Sequence, residues 1–509
     1  MLDAIMIGAG MGGLSCAAAL AKTGHRVLVL KQHHTLEGLT QTFLRSGFRF
    51  NVGMHYIGDM GPEDQAARVL DWVSEGGITM VSMGPVYDTV HFPDGFQIAL
   101  SRPEAALKLD LKEKFPGSVG EIDRFFQIFY EAGEAGRAVF AQRAMPDVLA
   151  TIYRFWKGRA IDKWCRRTTR AVLEETITGP RLRAVLAARW ADYGGPPAEA
   201  AFAIHALVLR NYFGGAYYPV GGASVFAKVL GAVIEKYNGK LEVNRLVTTL
   251  LVEDDAVVGV QLADGTQFRA TNIVSDTGVP STVGRLLPPA QRSSQWAQEV
   301  LPFKPALAHI GMYLGFEGDI QSQGATVCNH WFYESWDPGA SLWNEPLDET
   351  VAPDMFVSFP SLKDPDHDRG SVLKHTAEIA VVTRTEIFGR WADSRFGSRP
   401  AEYEPCKAMI AQRLLAQFGK HSPALVPLIR YHDISTPLTT AHFTQAPHGA
   451  IALGTTPRRF LSSSLNAKTP VPGLHLAGQD VGSPGIQGAM MGGVLAAVSI
   501  DPKLFRLLA

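Results

Sequence analysis

Cysteine is scarce in this chain of 509 residues: there are four, Cys16, Cys165, Cys328 and Cys406, each isolated and none in a C-x-x-C pair. That scatter argues against a disulfide scaffold, a cysteine zinc site and a dithiol redox centre. It fits a reducing compartment such as the cytoplasm. Charge of one sign is also lacking, with a net charge of -1, so no nucleic-acid polyanion is expected as a partner. No apolar run approaches the roughly 18 residues of a membrane-spanning helix. No repeat of solenoid length is visible. A leader peptide is not expected, because an apolar strand is expected from about residue 3. Neither H-E-x-x-H nor G-x-S-x-G occurs, which removes the common zinc-protease and hydrolase signatures. The remaining histidines, among them His33, His34, His432, His442 and His448, show no metal-binding spacing, and no metal is expected.

What is present is an ordinary globular composition, 46% hydrophobic and 19% charged, in a length that allows about three domains. The first thirty residues carry the sharpest signal. Asp3 to Ile7 is a short apolar run with the bulk of a buried strand. Gly8, Gly10 and Gly13 then spell G-x-G-x-x-G, Leu14 to Thr23 is a small-residue helix, and Arg26 to Leu30 is a second strand. In a chain with 50 glycines the motif alone means little. Between two strands and opening a helix, it marks a dinucleotide site, with phosphates on the positive helix end. One residue departs from that pattern: Lys31 stands where an acid usually takes the ribose hydroxyls.

Further on, residues 38–43 read as a loop beside the cofactor, and Phe48 to Gly58 alternates like a strand containing His55 and Tyr56. Residues 62–210 read as mostly helical, with a few strands near 79–100. Within them, Val148 to Val172 interleaves Arg154, Lys157, Arg159, Lys163, Arg166, Arg167 and Arg170 with Tyr153, Phe155, Trp156 and Trp164. Two readings stand there: a helix resting on anionic lipid, or a solvated face whose aromatics turn to the core. Ser224 is placed to cap a helix from Val225 to Tyr237. Strands over 241–276 suggest a return to the first sheet, and residues 290 to about 460 a second domain. Near the end, Gly473 to Asp480 is a buried strand finishing on Gly-x-Asp. A glycine loop then leads into a small-residue helix. That second corner can place an acid on a ribityl hydroxyl and a helix dipole at the pyrimidine end of a flavin.

These stretches carry a resemblance. GAGMGGL at 8–14, GLTQTF at 38–43, NVGMHYIG at 51–58, YYPVGGAS at 217–224, FVSFPSLKDP at 356–365, STPLTTAHFTQAPHGAIALG at 435–454 and GLHLAGQDVGSPGIQGAMMGG at 473–493 resemble the flavin amine-oxidase and phytoene-desaturase-like superfamily. The likeness is greatest to its branch of retinol saturases and carotenoid isomerases. The resemblance implies an α/β fold: a Rossmann-like FAD-binding domain with an interleaved α+β substrate domain and a helical, membrane-facing subdomain. The implied FAD-binding segments are 1–61, 211–289 and 465–509, and the substrate segments are 62–210 and 290–464.

It also implies one non-covalent FAD and a long apolar tunnel for a polyene or related lipid. Gly8, Gly10, Met11 and Gly13 would hold the pyrophosphate, Val247 the adenine, and Lys31, Gly38 and Thr42 would line the approach. Gly478 and Asp480 would serve the ribityl end, and Gln487, Gly488, Ala489 and Met490 the isoalloxazine. The departures are Lys31, Leu39-Thr40 and Ala452-Leu453. Only one dinucleotide fingerprint is present, so electrons come from an external donor or the net reaction is redox-neutral.

The resemblance places this strand near the flavin, which makes His55 and Tyr56 the candidates for proton handling; the alternative is a buried, hydrogen-bonded His and Tyr. His205 reads first as a core histidine, and Lys363-Asp364 first as a surface ion pair. Three functions remain open: saturation of a polyene C=C bond; isomerisation, desaturation or amine oxidation on the same fold; and a non-catalytic prenyl-lipid-binding chaperone. The complete 473–493 corner argues against the last.

Overall fold

The computed structural model describes residues 2–145, 147–343, 350–446, 449 and 452–508; His448 lies outside the described residues. Two seven-stranded sheets supply most of the framework. In the first, Leu2–Ile7 lies parallel between Val27–Leu30 and the second half of Gln267–Ser275. Lys240–Glu242 extends this parallel set on one side and Leu474–Leu476 on the other. Val247–Glu253 and Ala256–Leu262 form an antiparallel meander with the first half of Gln267–Ser275. Parallel strands covered on both faces need continuous apolar runs, and Ala4, Ile5 and Met6 are fully buried. Each large aliphatic side chain so buried contributes about 1.5–3 kcal/mol.

The helices Met11–Lys22 and Ile486–Ile500, from opposite ends of the chain, pack face to face on this sheet. They can approach because both carry glycine at the contact: a Cβ on Gly493 would lie 2.1 Å from the Gly12 carbonyl. The helix expected after Ser224 forms at Val225–Lys236, yet the Ser224 side chain makes no capping bond; its own backbone is already helical.

The second sheet runs Ile429–Ser435, Ala308–Glu317, Lys374–Thr383, Asp354–Ser358, Asn329–Tyr333, Val86–His91, Gln97–Ser101. Its register stacks side chains into rows. Gly311, Ala380, Phe356, Trp331 and Val90 make one apolar row. Two residues away along the strands, Tyr313, Glu378 and Ser358 begin a polar row that Asn329 and Asp88 continue. Helices Val119–Ala144, Asp147–Cys165 and Phe202–Arg210 dominate the region before residue 210.

Candidate active site

A cavity of about 630 Å³ is lined by the ends of the first sheet's parallel strands and by the rows of the second sheet. At its first wall the chain turns sharply out of Leu2–Ile7 with Gly8 at φ +106°, and the helix opens after Gly10. Glycine is required here by space as well as by backbone conformation. Cβ atoms on Gly10, Gly12 and Gly478 would lie 2.7, 2.5 and 2.3 Å from the Asp276 carboxylate, and one on Gly13 would lie 2.3 Å from the Gly8 carbonyl. The cradle thus closes around an acid. Burial pushes the Asp276 carboxyl up to about 6, opposed by the N–H of Gly13 and by Lys31. Lys31 lines the cavity with its backbone fixed on both sides: its N–H donates to Glu242 O (2.9 Å) and its carbonyl accepts from Arg245 N (2.8 Å). Burial lowers the Lys31 ammonium pKa, and the Asp276 charge resists that.

Gly8, Gly10, Met11, Gly38, Val247, Asp480, Gln487 and Ala489 also line this cavity. The Asp480 carboxylate is held by backbone, accepting from Val279 N at 2.8 Å and Leu453 N at 2.9 Å. Gln487 donates to Asp59 at 3.2 Å. Other expected residues lie behind the lining. A Cβ on Gly488 would sit 1.9 Å from the Ser483 carbonyl, so it serves loop–helix packing. Met490 is a core residue, and half-buried Thr42 begins a surface hairpin.

Side chains make the second wall. His55 lines the cavity with its ring edge-on to Phe356 at 4.8 Å. Its Nδ1 lies 3.1 Å from Glu378 Oε2, close enough for an ion pair though without the alignment of a hydrogen bond. The other Glu378 oxygen is held by the Asn51 N–H at 2.6 Å. Tyr56 also lines the cavity, but its hydroxyl is engaged: it donates to Asp88 at 3.0 Å and accepts from Arg189 at 2.9 Å. Burial drives its pKa well above the usual tyrosine value. Arg189 pairs with Asp192, whose carboxyl burial raises to about 6.

Lys363 and Asp364 are not a surface ion pair. Both are buried and they turn apart, Asp364 to Arg49 at 2.7 Å and Lys363 to the His55 carbonyl (2.8 Å), Ser358 (2.6 Å) and Asn329. They face inward because the segment after Asp354–Ser358 folds as the short helix Pro360–Lys363 under the sheet. His205 is a core residue, fully buried, sharing a hydrogen bond with the Tyr193 hydroxyl at 3.0 Å. Sequence reasoning passed over Glu378, Asp276, Arg189, Asp192 and Asp354. Their one local signal is an acid or base inside an otherwise apolar stretch, as in HTAEIAVVT or DMFVS.

A dinucleotide corner opening onto a cavity roofed by an antiparallel sheet defines an oxidoreductase with a Rossmann-like domain, and comparison with known proteins agrees. The family description "NAD(P)-binding Rossmann-like domain" matches residues 6–72. A putrescine oxidase redesigned in its cofactor binding superposes with a TM-score of 0.67 over 99% of both chains at 14% identity, which speaks to fold alone. All-trans-retinol 13,14-reductase from Danio rerio is 30% identical, covering 96% of this chain and 84% of its own length. A second Danio rerio protein, designated inactive all-trans-retinol 13,14-reductase, is 28% identical over 99% and 87%. Prolycopene isomerase from Daucus carota is 24% identical over 99% and 80%. The chain belongs to the all-trans-retinol 13,14-reductase family, within the phytoene-desaturase-like superfamily.

Proposed function

We propose that this protein saturates a C=C bond of an apolar polyene of the retinoid or carotenoid kind, with FAD bound at the glycine cradle and an external donor of two electrons. The observation that carries the reading is His55, backed by Glu378, on the same cavity as that cradle. A family name alone does not decide activity, since one relative is designated inactive.

The residues present fit FAD: a cradle that any Cβ would fill, a helix N-terminus beside it, and a carboxylate at the second glycine corner. Gly8, Gly10 and Met11 would hold the pyrophosphate, Val247 the adenosine end, and Asp480, Gln487 and Ala489 the ribityl and ring end. Reduced FAD, when bound, supplies a hydride to one alkene carbon. The neighbouring carbon then needs a proton, and His55 is the side chain that can carry one to it. Glu378 stands beside the ring, its Oε2 3.1 Å from Nδ1. Lys363 holds the His55 backbone in place. The apolar row from Ala380 through Phe356 to Trp331 gives the polyene a dry surface.

Anaerobic turnover of dithionite-reduced protein with all-trans-retinol, followed by product mass, tests this. A gain of two hydrogens is the expected result. Unchanged mass with altered geometry would mean isomerisation, loss of two hydrogens desaturation, and a protein that takes up no FAD a binding role.

The same reading includes peripheral docking on an anionic membrane through Asp147–Cys165. Val148, Leu149, Ile152, Phe155 and Trp156 recur at helical spacing on one face, and that face is exposed, Phe155 at 86% and Trp156 at 79%. Trp164, by contrast, turns to the core. Lys157, Arg159, Lys163 and Arg166 are exposed on the same helix and its end, the arrangement that suits acidic headgroups. No helix among the described residues is long and apolar enough to cross a membrane.

A further inference from the structure

Two buried polar atoms on the cavity's second wall are left unpaired. Asp354, 6% exposed, lines the cavity, and its Oδ2 has no hydrogen-bond partner. Trp331, 4% exposed, lines it as well, and its Nε1–H has none. Asp354 pairs with Tyr333 and Trp331 with Phe356 across two adjacent strands. They are therefore diagonal neighbours, about 7 Å apart at Cβ. Burial pushes the Asp354 carboxyl up to about 7, and what opposes it is backbone N–H, from Val382 and from Asp354 itself. Nearly every buried polar group in a folded protein finds a partner, so an orphan acceptor beside an orphan donor calls for an explanation.

We infer that Asp354 and Trp331 form the head-group subsite for an alcohol at the end of the substrate, resting on the polyene reading above. A hydroxyl satisfies both atoms at once, donating to the carboxyl and accepting from the indole N–H. An ammonium head would meet Asp354 but offers no acceptor to Trp331. A carboxylate head would meet an acid at Asp354 in place of a cation.

The test is a fluorescence titration of the FAD-loaded protein, with the flavin oxidised, using all-trans-retinol, its deoxy analogue ending in methyl, and all-trans-retinoic acid. Wild-type protein should bind retinol best. Asp354→Leu and Trp331→Phe should each weaken retinol about tenfold, toward the deoxy analogue, whose own affinity stays constant. Asp354→Leu should also narrow the gap between retinol and retinoic acid. The subsite is overturned if the variants weaken retinol and the deoxy analogue equally, or neither, or if wild-type protein binds all three alike. If wild-type protein binds none of the three, the polyene reading itself falls and the subsite with it. Trp331→Phe keeps the test decisive should Asp354→Leu not fold.

Discussion

At the glycine cradle the cavity is shaped by backbone, whereas the second sheet presents it with side chains from four strands, paired residue by residue across the rows. The cradle is local: Gly8 to Gly13 place four of its glycines within six residues, and the C-terminal corner adds Gly478. The second wall is assembled across distance: Glu378, Asp354 and Trp331 meet through strand register, and His55 joins them from the segment between Phe48–Asn51 and Ile57–Gly58. A backbone site tolerates little at its glycines and is indifferent to chemistry elsewhere. A side-chain site tolerates changes of backbone neighbours but depends on single functional groups. On the proposed function, the binding of a common cofactor and the choice of a particular substrate fall to different parts of the fold.

Substitutions can break that contrast or sharpen it. The largest effect is expected from His55→Phe, which keeps the ring volume but removes the proton carrier. Turnover should fall by about 100-fold or more, while FAD binding, read from visible absorbance, stays intact. Glu378→Gln should lower turnover less than His55→Phe does, because Glu378 acts through its contact with the His55 ring. Loss of FAD in either variant would mean the two walls are not separate.

A middle-sized effect belongs to Asp276, the one side chain inside the backbone cradle. Its folded pKa of about 6 lies above the ordinary 3.8. The stability it contributes is therefore full below the ordinary value and lost as pH rises through about 6. Asp276→Asn should raise the Tm of the FAD-free protein at about pH 8 and much less near pH 5, a difference on the order of 2 kcal/mol. It should also tighten FAD binding at the higher pH, by removing a charge beside the phosphates. A gain that is equal at both pH values would contradict this. The smallest effect on the fold is expected from the paired change Phe155→Ser and Trp156→Ser, outside both walls. Stability should move by no more than about 0.5 kcal/mol. Sedimentation with phosphatidylserine vesicles should drop from most of the protein to little of it; wild-type protein that ignores such vesicles at low salt would remove the membrane proposal.

The same contrast explains what was legible in the sequence. The strand–glycine–helix corners at 3–30 and 473–493 are written in consecutive residues, and the structure brings both to one sheet. His55 and Tyr56 are legible because the resemblance carried by NVGMHYIG at 51–58 places that stretch beside the flavin. Glu378 was not: nothing in Lys374–Thr383 tells which face of the strand its acid takes, or that Asn51, more than 300 residues earlier, will hold it. Lys363 was read as a surface residue because a Pro-rich stretch ordinarily lies outside. It folds inward because Ser358, Asn329 and the His55 carbonyl give its ammonium buried partners. Trp164 and Trp156 stand eight residues apart on one basic helix, and only packing decides that the first turns to the core and the second outward. Lys31 keeps its strand-end place on the cavity.

On the proposed function, an apolar polyene accepts electrons inside this cavity from a flavin held at the cradle. The direct measurement is to reduce the FAD-loaded protein fully, exclude oxygen, and mix it with all-trans-retinol while recording the visible spectrum. The account predicts that the oxidised flavin absorbance returns in proportion to retinol that has gained two hydrogens. A spectrum that stays reduced until oxygen is admitted, with retinol recovered unchanged, would contradict it.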